Sequence, residues 1–240
     1  MKNCISKLYF VLLFLLVVIV ACDKSEEQED LYRLDVDFRT PTAKSSQVEI
    51  TDNPYEQKIQ EHSRYTSLPN CCGLNTMVDA WIHEKGRGYF AQDNCMTAQQ
   101  YYDKLVNETQ KNSAYHWTPD STSMSMKTLM MLNENFPLST SKNKDGSTTK
   151  KTLFSEYKAM DNASEVSEYL RSKENQRTVG GVVLQDENGN GHVAFVSGFY
   201  KDTMSFTGYD IFNGNGYTGG KMQIDGSSKK GWRIVGVILK

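Results

Sequence analysis

Three residues that lie far apart in the sequence have the types and local settings that nucleophilic catalysis requires. Cys72 stands at the start of the first strongly helical segment, and amide groups at a helix start stabilise a thiolate. His192 begins an apolar strand after a tight turn, where an imidazole can take the proton of that thiol. Asn213 ends the next strand, and its side-chain oxygen can fix the imidazole tautomer. The sequence therefore predicts Cys72 as nucleophile, His192 as general base and Asn213 as orienting residue.

Two of these assignments have neighbours that can take the same role. Cys71 directly precedes Cys72, and Asp210 lies on the strand that Asn213 ends. Three of the five cysteines lie beyond residue 22, so an oxidising compartment allows one disulfide and one reduced thiol. Since adjacent cysteines rarely bond each other, we expect the pair Cys71–Cys95, which leaves Cys72 reduced.

The other histidines do not predict a metal site. His83 is followed by Glu84 but lacks a second histidine four residues on, and His62 and His116 lie in polar segments that predict solvated rings. These three histidines share no spacing typical of zinc ligands. We therefore expect neither a metal ion nor another cofactor.

The segments that position the candidate residues form a helical half followed by a strand half. Apolar residues three and four positions apart predict a helix over residues 72–84, ended by Gly86 and Gly88. The same periodicity predicts helices over residues 97–109, 123–136 and 163–174. Residues 139–151 are polar and rich in turn formers, which predicts a surface loop.

Beyond residue 178 the apolar period becomes two, which is typical of strands. The run Glu-Asn-Gly-Asn-Gly before His192 predicts a hairpin turn. Strands are predicted over residues 179–185, 191–200, 205–212, 221–224 and 232–239. Helices followed by an antiparallel sheet predict a domain of the α+β class.

The first 22 residues predict an export signal that ends at a lipidated cysteine. Lys2 and Lys7 precede an apolar run over residues 8–20, which reaches only about 20 Å as a helix and cannot cross a hydrocarbon core of about 30 Å. The run ends in Ile-Val-Ala-Cys22, which resembles a bacterial lipobox. This resemblance implies that Cys22 carries the lipid and becomes the mature N-terminus.

These features divide the chain into a signal peptide (1–21), a lipidated tether (22–45) and one globular domain (46–240). The tether begins with charged residues that resemble the lysine-plus-acid export tag of bacterial surface lipoproteins, which implies an anchor in a bacterial membrane, with the outer membrane or cell surface favoured. The 27 basic and 29 acidic side chains nearly balance, and this balance argues against a nucleic-acid partner.

The catalytic motifs together resemble the papain-like cysteine peptidases, in particular the bacteriocin-processing, double-glycine branch. A helix that opens on Cys72 and glycine, a strand that opens on glycine and His192, and a strand that ends in asparagine and glycines carry the resemblance, over about residues 55–215. It implies a papain-like fold, with the N-terminal helices packed on a C-terminal antiparallel sheet. It also implies a peptide or protein substrate, cleaved by the triad Cys72, His192 and Asn213.

One part of the family pattern is missing. The family has a glutamine a few residues before the nucleophile that completes the oxyanion hole, and here only Gln60, twelve residues upstream, is available. Since losing one such donor costs about 2.7 to 4 kcal/mol of transition-state stabilisation, a catalytically inactive binding lipoprotein of the same fold is an alternative. A cell-wall peptide hydrolase is another alternative, because Asn-Cys-Cys-Gly-Leu also resembles the motif of cell-wall amidases, with Cys71 as nucleophile.

Overall fold

The structure is a computed structural model in which two parts of the chain are distinguished by their internal packing, Met1–Arg33 and Leu34–Lys240. It describes residues 33–35, 53–68, 71–117, 123–160, 163–200, 205–209, 220–223 and 232–240. The predicted signal peptide, the lipidated Cys22 and the tether apart from residues 33–35 lie outside this described part.

The helices lie mainly in the first half of the described part. They are α1 (Pro54–His62), α2 (Cys72–Phe90), α3 (Ala98–Lys111), α4 (Met126–Asn135), α5 (Ala163–Arg171) and α6 (Lys173–Thr178). A single 3-10 turn, Ser113–Tyr115, follows α3. Within the residues described, none of the helices combines the length and the apolar character that crossing a membrane needs.

The strands of the second half form one antiparallel sheet in the order β5-β10-β6-β7-β8-β9. Their bounds are β5 (Glu156–Ala159), β6 (Val179–Asp186), β7 (Gly191–Tyr200), β8 (Ser205–Tyr209), β9 (Gly220–Gln223) and β10 (Trp232–Leu239). Four shorter strands lie outside this sheet: β1 (Arg33–Asp35), β2 (Ser123–Ser125), β3 (Ser139–Lys142) and β4 (Thr148–Lys151). The order of helices before an antiparallel sheet confirms the α+β class.

The two sides of the sheet are covered by different helices. On one side, α5 contributes Val166 and Leu170 to an apolar cluster with sheet residues at alternate positions, among them Val182, Leu184, Ala194 and Val196. On the other side, α2 packs against β7, with the His83 ring 5.3 Å from the Phe195 ring. The helix α2 is itself a core element, because Leu74, Met77 and Val78 have no exposed surface.

Several helix bounds differ from the sequence prediction for identifiable reasons. The predicted helix 72–84 agrees with the first part of α2, because Gly86, at φ 69° and ψ 170°, is not helical; beyond this kink a second short helical part continues α2 to Phe90. The predicted helix 163–174 is divided at Ser172, whose side chain caps α6 by accepting from the Asn175 amide. The predicted helix 97–109 corresponds to α3, which Thr97 caps in a reciprocal capping box with Gln100.

The predicted loop over residues 139–151 is wrong, since these residues form the hairpin β3–β4. The predicted helix 123–136 begins later, because Ser123–Ser125 form β2 and Ser125 then caps α4. The helix α1 and the strand β5 were not predicted at all. Of the predicted strand 205–212, residues 205–209 are described and form β8.

Candidate active site

The helix α2 begins at Cys72. Cys71 is its N-cap residue, and the Cys71 side chain makes no capping hydrogen bond to the first turn. The amides of a first helical turn have no partners within the helix, so they can stabilise negative charge on the side chain of the first residue. The next residue must be small, because a Cβ at Gly73 would lie 2.7 Å from Met124 Sδ. Packing against Met124 therefore explains why residue 73 is a glycine. The position of Cys72 at the helix start places its side chain near unpaired backbone amides.

Cys71 and Cys72 occupy different environments although they are adjacent. The Cys71 thiol is buried and hydrogen-bonded to the Tyr102 hydroxyl, which also accepts from the Leu68 amide at 2.8 Å. Burial raises the pKa of the Cys71 thiol, and the Tyr102 hydrogen bond offsets only part of that effect. Cys71 therefore has the properties of a structural thiol.

A hydrogen bond joins the first turn of α2 to the start of β7. Thr76 Oγ1, four residues after Cys72, donates to the Val193 carbonyl at 3.1 Å. Residues four apart on a helix lie on one face with their Cβ atoms about 6 Å apart. The bond therefore lies one helical turn from Cys72 and one residue from His192.

The Val193 carbonyl that binds Thr76 points to the outer edge of β7. The Asp186 amide donates to the Asn190 carbonyl at 2.9 Å, and hydrogen-bonded pairs alternate along an antiparallel ladder. His192 accordingly directs its backbone groups to β6, whereas Val193 directs its carbonyl away from β6. The described pairing with β8 begins two residues further along β7, so α2 starts beside this edge.

The His192 side chain is buried, with 6% of its surface exposed. Side chains alternate along a regular strand, so His192 lies on the same side of β7 as Ala194, whereas Phe195 lies on the side that contacts His83 of α2. The His192 side chain therefore lies on the side of β7 opposite the one that contacts His83 of α2. Cys72 is also buried, with 8% of its surface exposed.

A buried polar stripe on α2 was missed by the sequence analysis. Asn75, Thr76 and Asp79 are 9%, 1% and 4% exposed, and they follow Cys72 by three, four and seven residues, which places all four on one helix face. The Tyr65 hydroxyl donates to Asp79 Oδ1 at 3.0 Å. The signal in the sequence is a set of polar residues at helical spacing, on the helix whose apolar stripe predicts the core face.

The structure does not group Gln60 with Cys72. Gln60 lies on α1, which packs on the C-terminal half of α2: His62 Nδ1 donates to the Phe90 carbonyl at 2.8 Å, and Glu56 pairs with Arg87. Arg87 follows Cys72 by fifteen residues, which is about 20 Å of helix. The same contacts show that the prediction of a solvated His62 is wrong.

The predicted Cys71–Cys95 disulfide is wrong, because Cys71, Cys72 and Cys95 form no disulfide. Cys95 Sγ lies 3.2 Å from His62 Nδ1 at the α1 end of α2, whereas Cys71 lies at the opposite end of that helix. The predicted pair does not form because Cys71 and Cys95 lie near opposite ends of α2, too far apart for a disulfide.

Two of the predicted site residues are not tested by the geometry. Asn213 and its rival Asp210 lie outside the described residues. Within the described ranges, no three side chains of His, Cys, Asp or Glu converge as metal ligands would.

No family model, curated protein or solved structure matches this chain.

Proposed function

We propose that this chain is a lipid-anchored cysteine peptidase with a papain-like fold. The supporting observation is the bond between Thr76 and the Val193 carbonyl, which holds the helix that starts at Cys72 against the strand that begins beside His192. A cysteine at a helix start beside a histidine is the arrangement that thiol nucleophiles use.

In the proposed reaction, His192 takes the proton of the Cys72 thiol, and the thiolate attacks the carbonyl carbon of a peptide bond. The first-turn amides of α2 stabilise the oxyanion, a role that the position of Gln60 leaves to the backbone. His192 then gives the proton to the leaving amine, and an acyl-enzyme on Cys72 remains. Water, deprotonated by His192, releases the second product, while Asn213 fixes the imidazole orientation.

The proposal is tested by measuring whether the rate at which the Cys72 thiol is alkylated depends on His192. In a Cys71→Ala, Cys95→Ala background, Cys72 is the only cysteine beyond the anchor, so iodoacetamide labelling at mildly acidic pH reports on this thiol alone. We expect rapid labelling that His192→Ala slows strongly and His116→Ala leaves unchanged. Equal labelling rates in the two histidine variants would contradict the proposal.

The placement of α1 favours a second candidate, a binding lipoprotein of the same fold without catalysis. Gln60 belongs to the far end of α2, so no side chain is assigned to complete the oxyanion hole. Casein digestion separates the candidates, because only the peptidase releases peptides that disappear in Cys72→Ala. Release of fragments from purified peptidoglycan would instead favour the cell-wall hydrolase, and loss of that release in Cys71→Ala would assign the chemistry to Cys71.

Membrane attachment is tested separately from catalysis. Replacement of Cys22 by serine removes the only proposed site of lipidation. We expect the variant to lose incorporation of a labelled fatty acid and to leave the membrane fraction. Membrane retention with undiminished labelling would show that the anchor lies elsewhere.

A further inference from the structure

A pocket lies at the other end of β7 from His192. Its volume of about 380 Å³ is within the range of small-molecule sites. It is bounded by α6, by the start of β6 and by Ser197 of β7, which is five residues from His192 and therefore about 17 Å along the strand. The pocket is thus separate from the candidate active site.

The lining of this pocket is basic. Lys173 and Arg177 of α6 and Lys240 contribute three basic side chains, and the lining contains no aspartate or glutamate. We call this site the basic pocket. Its floor is apolar and includes Val179 and Val196. A positive, partly apolar concavity of this kind favours an anion that carries an organic body.

The cations of α6 are not neutralised by the surrounding protein. Lys173 and Arg177 are four residues apart on one helix face, an arrangement in which like charges repel. Within the described part of the chain, neither side chain forms an ion pair or a hydrogen bond. Glu174 precedes Arg177 by three residues and is its neighbour on α6, but the Glu174 carboxylate is not within ion-pair distance of either cation. The ammonium of Lys240 lies 5.7 Å from the centre of the Phe195 ring, on the side of β7 that faces His83, so the two cations of α6 carry the charge of the pocket.

An irregularity in β7 adds a hydroxyl to the lining. The register of β7 against β8 shifts between Val196 and Gly198, so Ser197 is the extra residue of a bulge. Bulges change the direction of a side chain relative to the sheet, and Ser197 is exposed in the pocket lining instead of continuing the buried run of β7.

We propose that the basic pocket binds a phosphate group. The guanidinium of Arg177 offers parallel donors that match two phosphate oxygens, and a phosphate dianion balances the two charges of Lys173 and Arg177, which a carboxylate does not. Ser197 and Lys173 supply further donors to the remaining oxygens. The ligand is either a soluble phosphate ester or the headgroup of an anionic lipid, since both present the same group.

The test uses calorimetric titration of the full chain with inorganic phosphate at constant ionic strength. We expect saturable binding that Arg177→Gln weakens about tenfold or more and that Lys173→Gln also weakens. The matched control is Lys127→Gln, which removes an exposed lysine of α4 and is expected to leave the affinity unchanged. Circular dichroism confirms that the variants remain folded.

Three results would overturn the proposal: no saturable phosphate binding in the wild-type chain, equal affinities in Arg177→Gln and Lys127→Gln, or acetate binding as tightly as phosphate.

A vesicle assay then distinguishes a lipid headgroup from a soluble phosphate ester as the ligand. Binding to vesicles with phosphatidic acid but not to phosphatidylcholine alone, lost in Arg177→Gln, assigns the lipid headgroup. Phosphate binding without vesicle binding assigns a soluble ester.

Discussion

Cys71 and Cys72 are adjacent at the start of α2, but their thiols lie in different environments. Cys71 is the N-cap residue and turns its thiol into the protein against Tyr102, whereas Cys72 is the first residue of the helix proper. The amides of that first turn have no partners within the helix, and the Cys71 side chain makes no hydrogen bond to them. The two thiols therefore differ in position and surroundings although they are the same residue type.

The raised pKa of the Cys71 thiol predicts slow alkylation. A thiol with a raised pKa holds less thiolate at every pH below that value, and thiolate is the reactive form. In a Cys72→Ala, Cys95→Ala background, we expect iodoacetamide at pH 8 to modify Cys71 in the folded protein more than about tenfold slower than in urea, since burial also limits access. Mass spectrometry of the modified peptide gives both rates, and equal rates would contradict the structural role of Cys71.

The hydroxyl of Thr76 predicts an effect on both stability and reactivity. Thr76→Val keeps the side-chain volume but removes the donor to the buried Val193 carbonyl, which we expect to cost about 1–3 kcal/mol in urea unfolding. If the protein is the proposed peptidase, a shift of the α2 start relative to β7 should also lower its turnover rate about a hundredfold.

The matched control for this prediction is Thr109→Val. Thr109 is equally buried, but its hydroxyl donates to the Val106 carbonyl within the same helix, at 2.8 Å. We expect this variant to lose some stability and to keep its turnover rate. If Thr76→Val loses stability while turnover and Cys72 labelling stay at the wild-type level, the bond does not position the site.

At the scale of elements, the kinked helix α2 packs against two elements, β7 and α1. Its N-terminal half carries Cys72 and contacts β7, whereas its C-terminal part contacts α1 through Arg87 and Phe90. Gly86 separates the two with backbone angles that only glycine adopts readily. The non-helical Gly86 therefore joins two helical parts, and the second, short part ends at Phe90.

Substitution of the two glycines in this helix should have opposite effects. A Cβ at Gly86 meets no atom within 4 Å, so the cost of Gly86→Ala, about 1–3 kcal/mol, arises from the backbone alone. Gly88→Ala also meets no atom within 4 Å but lies in a helical turn, and we expect a gain of about 0.5–1 kcal/mol. Urea unfolding of both variants decides the matter, and equal effects would show that the kink carries no strain.

Elements with strong local patterns were predictable from the sequence, and those held by tertiary contacts were not. The strands β7 and β10 have their predicted bounds, because each combines an apolar run with flanking turn residues. The helix α1 buries only Ile59, so its sequence carries little helical pattern, and its ion pair to Arg87 depends on the fold. In the candidate site, the helix start at Cys72 and the strand start at His192 were predictable from local sequence patterns. The position of Gln60 near the C-terminal end of α2 was not, because it depends on how α1 packs on α2.

At the scale of the whole molecule, Asn133 ties the helical half to the sheet. Its side-chain oxygen accepts from the Leu153 and Phe154 amides at 3.0 Å each, and its nitrogen donates to the Phe154 carbonyl at 2.7 Å. The chain enters β5, an edge strand of the sheet, directly after these residues. One buried amide on α4 therefore satisfies three backbone groups of the segment that leads into the sheet.

Asn133→Ala should consequently destabilise the whole domain. It leaves three buried backbone groups without their partner, and we expect a loss of roughly 2–4 kcal/mol in urea unfolding. Asn135→Ala on the same helix is the control, because it removes one bond, to the Tyr115 hydroxyl, and should cost about 1 kcal/mol. Similar losses in the two variants would show that Asn133 does not connect the two halves.

The hairpin β3–β4 contributes nothing to the core, since every residue of both strands is exposed. Its turn, Asn143–Ser147, is closed by local bonds such as Ser147 Oγ to Asp145 Oδ1. Segments of this kind accept added sequence at little cost, because no buried contact depends on them. An epitope or a fluorophore attachment site inserted after Lys144 should therefore label the protein while leaving both the Cys72 region and the basic pocket intact.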